Sequence, residues 1–419
     1  MTKYSIPYGR QNITDADIAA VTEALHADYL TTGPRVAEFE EKFANYVGSK
    51  YAVAVANGTA ALHLCALALG VEKGSRVITT PITFSASANC VRYCGGEVWF
   101  ADIDPVTLTL DLEKTRALIE SKPKGFFHGI IPVDFAGYPV NLEAFRQLAD
   151  EHDMWIIEDA CHAPGGHFTD TAGVAQRCGN GAYADLAIFS FHPVKHIASG
   201  EGGMITTNDK ALYDDLMMLR THGITRRPEL LRENHGGWYM EMQQLGYNYR
   251  IPDILCALGT SQLTRADEGM ARRQEIAKRY DEAFADLGEA PSSGYASSGS
   301  HSSYGEGAAA GARNGTKAKL IFHGVPADAA TFHAFHLYVV EAEDRKGLYD
   351  YLRAQGIYAQ VHYIPVHTMP YYLDMGHYAD VDLSLSENYY AGGLSLPMFP
   401  TLTDEEQDFV IDRVKHFLS

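Results

Sequence analysis

Several features that mark particular classes of protein are missing from this sequence of 419 residues. Its six cysteines form no CxxC pair and no framework spacing, so structural disulfides are not expected. No apolar run approaches the ~20 residues that a membrane span needs, and residues 1–11 lack the apolar core of a signal peptide. We therefore expect a cytoplasmic protein that does not associate with membranes.

Positive charge is also scarce, because 34 Lys and Arg residues stand against 53 Asp and Glu residues, which gives a formal net charge of −19. This balance argues against nucleic-acid binding, and any anionic substrate must be held in a local pocket. Cys161, His162, His167 and Cys178 are zinc ligands by type. Their spacing matches no zinc motif, so no metal site is predicted.

Alternating strand-like and helical patterns predict an α/β fold. Two helices come first, one after a Thr14 cap and one ending near Gly48. The strand-like segments lack polar and apolar alternation, which indicates a mainly parallel sheet of seven strands covered on both faces. These segments are 51–56, 76–79, 97–102, 126–133, 154–159, 186–190 and 204–207.

The later part of the chain suggests a second, smaller α/β domain. We expect a large domain with an N-terminal arm at 1–266, a connecting helix at 267–290 and a C-terminal domain at 319–419. The small domain should contain strands at 334–340 and 358–363. A Ser/Gly/Ala-rich segment, 291–318, lies between the connecting helix and the C-terminal domain. It has too little apolar surface to bury and is predicted to be a flexible loop.

Lys195 is the most informative single residue, because it lies between an apolar strand and the glycine turn 200–203. Upstream, another apolar strand ends in Glu158 and Asp159. A lysine and an aspartate at strand ends suggest pyridoxal phosphate, whose aldehyde forms a Schiff base with lysine and whose ring nitrogen pairs with a carboxylate. A solvated surface lysine is the alternative, but the apolar and glycine-rich surroundings disfavour it.

Three further segments fit such a cofactor, each with a structural alternative. The turn 57–59 opens a helix, so its N–H groups and the Thr59 hydroxyl can receive a phosphate, although an ordinary threonine cap would look the same. No GxGxxG or GK[ST] segment indicates a dinucleotide or P-loop site instead. Phe84 can stack on a planar ring or pack in the core. His162 can contact the ring or its phenolic oxygen, or be structural.

Taken together, these motifs resemble the DegT/DnrJ/EryC1/StrS family of nucleotide-sugar aminotransferases over nearly the whole chain. The segments that carry the resemblance are NGTAAL at 57–62, EDA at 158–160, FSFHPVK at 189–195, GEGG at 200–203 and GYNYR at 246–250. Shorter strings are similar to the subgroup of pseudaminic acid synthesis: IPYGRQ at 6–11, LTTGP at 30–34, RTHGI at 220–224 and VHYIPVH at 361–367. Segment 291–318 departs from the family, whose connection is shorter.

The resemblance implies a fold type I transferase that uses pyridoxal 5'-phosphate, with Lys195 as the Schiff-base lysine and Asp159 as the partner of the ring nitrogen. The implied contacts of the cofactor are the phosphate ligands Gly58, Thr59 and Ser190, the stacking residue Phe84 and the ring-side residue His162. Asn248 and Arg250 would reach the neighbouring subunit of a homodimer with shared active sites. The implied substrate-binding residues are Tyr8, Thr31, Arg250, His362 and Tyr363.

The same resemblance implies the substrates, which are L-glutamate as amino donor and a UDP-linked 4-keto-6-deoxy-N-acetylhexosamine as acceptor. Other readings stay open at this point. The acceptor could be another nucleotide-linked keto sugar, and the protein could be a non-catalytic regulator that binds the cofactor. Sugar dehydratases of the family have histidine at the lysine position, and Lys195 argues against that chemistry.

Overall fold

The structure is a computed structural model that describes residues 4–289, 320–322 and 330–419. The segment predicted to be a flexible loop, 291–318, lies outside the described residues. The helices are α1 Asp15–His26, α2 Pro34–Val47, α3 Gly58–Ala68, α4 Ala86–Tyr93, α5 Leu112–Glu120, α6 Leu142–Glu151, α7 Lys210–Leu219, α8 Asp253–Leu263, α9 Ala266–Phe284, α10 Arg345–Ala354, α11 Pro370–Leu373, α12 Ser384–Gly392 and α13 Asp404–Leu418. In the part of the chain that the structure describes, none of these helices is long and apolar enough to cross a membrane.

The first ten strands include all seven strands of the central sheet. They are β1 Ile6–Pro7, β2 Tyr51–Val55, β3 Arg76–Thr79, β4 Glu97–Phe100, β5 Gly129–Ile131, β6 Trp155–Asp159, β7 His167–Thr169, β8 Ala175–Arg177, β9 Leu186–Ser190 and β10 Gly203–Thr207. The later strands are β11 Ile224–Thr225, β12 Glu241–Met242, β13 Gly288–Glu289, β14 Leu320–Phe322, β15 Thr331–Phe332, β16 Tyr338–Ala342, β17 Ile357–Tyr358 and β18 Gly393–Leu396.

The central sheet has seven strands in the order β2-β10-β9-β6-β5-β3-β4. Strand β10 is antiparallel to both of its neighbours, and the remaining strands are parallel. Consecutive side chains such as Ile156 and Ile157 are both fully buried, so both faces of the sheet are covered. The predicted mainly parallel seven-stranded sheet is confirmed, and every strand predicted for it is present.

The direction of the strands determines where a site can form. The carboxyl ends of parallel strands open at one edge of a sheet, and the loops that follow them meet there. Strand β6 ends at Asp159 and β9 at Ser190, while the turn at Asn57 follows β2. Because β10 runs the other way, it begins at this same edge with Gly203.

A second sheet, β13-β14-β16-β18, lies in the later part of the chain and packs with α9, α10 and α13. Its core includes Tyr280, Phe284 and Leu348, which are fully buried. The N-terminal strand β1 pairs in parallel with β17 beside this core, with Ile6 opposite Ile357. The predicted division of the chain at 266 and 319 stays a prediction.

Two strands of this later part differ from the sequence-based expectation. The strand predicted at 334–340 is found at 338–342, and the one predicted at 358–363 ends at 358. In both places backbone carbonyls accept hydrogen bonds from side chains instead of joining a ladder. The Arg273 guanidinium donates to the Phe335 and His336 carbonyls at 2.9 and 3.2 Å, and the Tyr389 hydroxyl donates to the His362 carbonyl at 2.6 Å.

Asp102, just beyond β4, connects the central sheet to helix α12. Its carboxylate is buried and accepts the N–H groups of Leu385 and Ser386, each at 2.9 Å. The carboxylate therefore fixes the start of α12, whose first residue, Ser384, comes five residues before Tyr389. The Tyr389 hydroxyl donates to the His362 carbonyl, so the contact of Asp102 with α12 also helps to position the segment that contains Tyr363.

We expect Asp102→Ala to lower the free energy of unfolding by about 3 kcal/mol, because the buried Ser386 N–H and the partly buried Leu385 N–H lose their acceptor. Urea denaturation measures the change. Asp382→Ala is the control, since that exposed carboxylate accepts the Ser384 N–H at the same helix and its loss should cost at most about 1 kcal/mol. Equal losses in the two variants would contradict a role for the buried carboxylate.

Candidate active site

A cavity of about 440 Å³ opens at the carboxyl edge of the central sheet. Its lining includes ten of the residues predicted for the site: Tyr8, Gly58, Thr59, Phe84, Asp159, His162, Ser190, Lys195, His362 and Tyr363. It also includes residues that were not predicted for this site, among them Ser87, Cys161 and Glu201. The predicted residues Thr31, Asn248 and Arg250 do not line it.

The turn at Asn57 presents the start of helix α3 to the cavity. The Asn57 side chain caps the helix by accepting the Ala60 N–H at 2.8 Å. The N–H groups of Gly58 and Thr59 are first-turn groups, which have no partner within a helix. A Cβ atom on Gly58 would lie 3.1 Å from that of Ser190, so glycine lets the turn and the end of β9 approach closely. The arrangement is suited to an anion such as a phosphate.

Asp159 is the last residue of β6, and its carboxylate is held from two sides. One oxygen accepts the Ser87 hydroxyl at 2.7 Å and the other accepts the Cys161 N–H at 3.2 Å. A carboxylate has about four lone-pair sites, so it can still accept a further donor from the cavity. Ser87 was not predicted, although its position one helical turn after Phe84 could have indicated a shared face.

Lys195 lies in the loop between β9 and β10, where its N–H donates to the His192 carbonyl at 2.8 Å. Burial lowers the pKa of the Lys195 amine, the nearby charges of Cys161 and Asp159 oppose that shift, and the buried Arg273 guanidinium adds to it. A lowered pKa increases the neutral fraction of the amine at neutral pH, and only the neutral amine can act as nucleophile or base. Lys195 and Asp159 thus combine an available amine with a fixed carboxylate.

His162 and Tyr363 form a pair on one wall of the cavity. The His162 Nδ1 atom lies 3.2 Å from the Ala136 backbone nitrogen, and its Nε2 atom lies 3.2 Å from the Tyr363 hydroxyl. Burial lowers the pKa of His162 well below its usual range, and the charge of Lys195 strengthens the effect. The imidazole is therefore neutral, and both of its nitrogens have protein partners.

Thr31, Asn248 and Arg250 lie on neighbouring loops outside the cavity. The backbone of Thr31 pairs with Pro252, and that of Asn248 pairs with Thr221. The side chains of Thr31 and Asn248 are exposed. Within one chain, the structure does not bring these residues to Lys195.

The described residues contain one buried group with ligand types suited to a metal, formed by Asp134, Glu158 and Cys178. The Gly179 N–H donates to both Glu158 oxygens, at 3.1 and 2.9 Å. Burial raises the pKa of Asp134 to about 7 and that of Glu158 well above its usual range. The charge of Asp134 adds to the rise at Glu158, whereas hydrogen bonding opposes the rise at Asp134. A raised pKa favours protonated carboxyls, which lowers the buried charge of the group.

The sheet and the cavity at its carboxyl edge define a class, the pyridoxal-phosphate-dependent transferases of fold type I. The particular family follows from comparison, since the model of the DegT/DnrJ/EryC1/StrS aminotransferase family matches residues 11–305 and 313–415. The chain belongs to this family. The fold class and the family resemblance seen in the sequence are both confirmed.

Relatives of known name match almost the entire chain. The spore coat polysaccharide biosynthesis protein SpsC of Bacillus subtilis is 35% identical over 98% of this chain and 96% of its own length. The UDP-4-amino-4,6-dideoxy-N-acetyl-beta-L-altrosamine transaminase of Campylobacter jejuni is 34% identical over 97% and 96%. These two proteins are similarly related to this chain, but one is named for spore coat polysaccharide biosynthesis and the other for the transamination of a UDP-linked sugar.

Solved structures agree with this assignment. The Helicobacter pylori aminotransferase PseC, described as involved in the biosynthesis of pseudoaminic acid, superposes with a TM-score of 0.81 at 26% identity and covers 99% of both chains. The sugar aminotransferase Spr1654 of Streptococcus pneumoniae has a TM-score of 0.81 at 25% identity, over 99% of this chain and 97% of its own. That protein is known in PLP and PMP forms. Pyridoxal 5'-phosphate, the cofactor predicted from the sequence, is confirmed as the cofactor of the family.

A substitution at Gly203 tests how closely β10 must approach the turn at Asn57. A Cβ atom there would lie 2.5 Å from the Asn57 carbonyl carbon and 2.9 Å from the Gly58 nitrogen. We expect Gly203→Ala to displace this turn, cost about 1–3 kcal/mol of stability and weaken pyridoxal phosphate binding about tenfold. Denaturation and absorbance titration measure the two effects.

The matched control is Gly269→Ala in helix α9, where the added Cβ would meet only the Pro400 ring, at 3.5 Å. This variant should keep its cofactor affinity and its stability. If Gly203→Ala binds the cofactor as tightly as the control does, the turn is not part of the binding site.

Proposed function

We propose that the protein is an aminotransferase that moves an amino group from L-glutamate to C4 of a UDP-linked 4-keto-6-deoxy-N-acetylhexosamine, in pseudaminic acid biosynthesis. The observation that carries the proposal is the convergence of Lys195, Asp159 and the start of helix α3 on one cavity. Lys195 also speaks against the sugar dehydratases of this family. The cytoplasm is the proposed compartment, where the six free cysteines would stay reduced.

The residues of the cavity fit pyridoxal phosphate. Asp159 retains lone pairs for a protonated ring nitrogen, and the Phe84 ring is 61% exposed and so free to stack on the pyridine. Gly58, Thr59 and Ser190 would hold the phosphate, and Lys195 would react with the aldehyde. When bound, the cofactor supplies an electron sink for the carbon that carries the amino group.

Lys195 would then move protons between carbon atoms. Its neutral amine would take a proton from the α-carbon of glutamate, and in the second half-reaction it would deliver a proton to C4 of the sugar. Burial lowers the pKa of the amine, which brings it closer to neutral pH, where a general base is most effective. Asp159, held by Ser87, would keep the ring nitrogen protonated throughout.

The sugar acceptor is proposed from two kinds of support. Tyr8, His362 and Tyr363 line the cavity at positions that resemble the pseudaminic acid subgroup, and the Campylobacter and Helicobacter relatives carry names from that chemistry. The Bacillus relative is named for spore coat polysaccharide biosynthesis, so another nucleotide-linked keto sugar is the alternative acceptor.

Assays with glutamate and a panel of UDP-, GDP- and dTDP-linked 4-keto sugars distinguish the two kinds of acceptor. Glutamate alone should yield 2-oxoglutarate, and a non-catalytic regulator would yield none.

A homodimer with shared active sites explains the residues that the single chain leaves outside its cavity. Asn248 and Arg250 follow a segment with large exposed apolar side chains, among them Trp238 and Leu245, each 75% exposed. Such an apolar surface is typical of a protein interface. We propose that this interface carries Asn248 to the cofactor phosphate, and Arg250 and Thr31 to the substrate, of the neighbouring subunit.

We expect Lys195→Ala to reduce kcat about a thousandfold or more while leaving the fold intact, because it removes the amine that binds the cofactor and moves the proton. Transamination assays and circular dichroism measure the two properties. The control is Lys210→Ala, an exposed lysine paired with Asp214, which should keep its activity. Turnover by Lys195→Ala within about tenfold of the wild type would refute the assignment.

A mixed dimer tests the shared site. Asn248→Asp places a negative charge against the cofactor phosphate and should weaken its binding. If Asn248 acts in the neighbouring subunit, refolding this variant together with Lys195→Ala gives hybrids with one doubly damaged and one intact site, so activity reappears. If Asn248 acts in its own subunit, each site has one lesion and mixing restores nothing. Differently tagged chains verify that hybrids form.

A further inference from the structure

The position of the proton on His162 can be deduced from its neighbours. The Ala136 backbone N–H lies 3.2 Å from Nδ1, and a backbone N–H can only donate. Nδ1 must therefore accept and carries no proton. Because the ring is neutral, its single proton is on Nε2.

Several groups around the ring keep His162 neutral. It is buried, its ring centroid lies 4.3 Å from that of buried His336, and Lys195 is close enough to disfavour a second positive charge. His362 and His196 act in the same direction. Among the described residues no carboxylate forms a hydrogen bond with His162, so no hydrogen-bonded negative charge offsets the cost of burying an imidazolium.

The tautomer of His162 determines what Tyr363 can do. The Nε2–H group points to the Tyr363 hydroxyl oxygen at 3.2 Å and must donate to it. The hydrogen of the hydroxyl is then directed elsewhere, since Nε2 has no lone pair to receive it. Within residues 4–289, 320–322 and 330–419, no other hydrogen bond to this hydroxyl is present, and Tyr363 lines the cavity together with Lys195 and Asp159.

We propose that Tyr363 donates its hydroxyl hydrogen to an electron-rich oxygen of the molecule bound beside Lys195, and that His162 is the positioning residue that imposes this direction. The chain of donors runs from the Ala136 N–H to His162, from His162 to Tyr363 and from Tyr363 into the cavity. The oxygen is either the ring oxygen of the cofactor or the keto oxygen of the sugar. The identity of this acceptor oxygen rests on the proposed function, whereas the direction of the hydrogen bonds from Ala136 to His162 and from His162 to Tyr363 does not.

The inference gives His162 a role other than the direct contact with the cofactor ring predicted from the sequence. A hydrogen bond from His162 to the cofactor would require Nε2 to leave Tyr363. In the structure Nε2 lies 3.2 Å from the Tyr363 hydroxyl. Burial raises the pKa of that hydroxyl, so the phenol keeps its hydrogen at neutral pH.

The direction of the bonds is tested first in the cofactor-free wild-type protein. Nitrogen NMR of protein labelled at histidine, with His162 assigned by comparison with His162→Gln, distinguishes protonated from unprotonated ring nitrogens. We expect an unprotonated Nδ1 and a protonated Nε2. The opposite tautomer, or an imidazolium at neutral pH, overturns the proposal, and this outcome does not depend on whether the protein is an aminotransferase.

The acceptor is then identified with Tyr363→Phe. If it is the cofactor ring oxygen, the pH midpoint of the visible absorbance of the cofactor-loaded protein should rise by about one unit, because a charge-assisted hydrogen bond is lost. If it is the sugar oxygen, the midpoint stays in place and kcat/KM for the sugar falls about tenfold or more. Either result supports donation by Tyr363.

The control is Tyr183→Phe, which removes a hydroxyl that donates to Asp170 at 3.0 Å outside the cavity. If Tyr363→Phe matches this control in both measurements, Tyr363 donates to nothing in the cavity and the proposal fails.

Positioning by His162 is tested by His162→Gln and His162→Leu. Glutamine can accept from Ala136 and donate to Tyr363, so it should preserve the absorbance midpoint and kcat/KM, whereas leucine should reproduce the change seen in Tyr363→Phe. Equal behaviour of the two variants overturns the positioning role.

Discussion

The close contact between the first residue of β10 and the turn after β2 is the constraint on which the cavity depends. Gly203 pairs with Val55 on one side and with Ser190 on the other. Since β10 is antiparallel to both neighbours, one strand holds the ends of β2 and β9 side by side. The helix start at Gly58 and the loop of Lys195 therefore face the same space, which a side chain at Gly203 would disturb.

Burial governs the protonation states around this space. Arg273 is almost fully buried, its partners are the Phe335, His336 and Met398 carbonyls, and burial lowers its pKa to about 10. Its charge helps to lower the pKa of His196 and of His336, which stay neutral. The interior below the cavity thus combines one fixed cation with neutral imidazoles, and the same burial that keeps His162 neutral also lowers the pKa of the Lys195 amine.

The sequence predicts the sheet from local patterns, and it predicts half of the cavity lining from those patterns together with the family resemblance. Apolar runs without alternation identify the strands, and the end of each run places Asp159 and Ser190 at one edge. Ser87 and the Tyr363 pairing with His162 were not predicted, since they join segments far apart in the chain. The later strands were misplaced because Arg273 and Tyr389 take backbone carbonyls that a propensity argument assigns to a ladder.

The pairing of β1 with β17 has a consequence for the order in which the protein can assemble on the ribosome. Ile6 is synthesised long before its partner Ile357, which lies in the later part of the chain. The Tyr8 carbonyl accepts the N–H of Met398 at 2.9 Å, and Met398 is synthesised later still. Every strand of the central sheet lies before residue 208, so all of these strands are synthesised before this arm can dock. A prematurely terminated chain can therefore contain Lys195 and Asp159 but lacks the wall that Tyr8 and Tyr363 build, as well as later residues such as Tyr372 that pack in the core of the sheet.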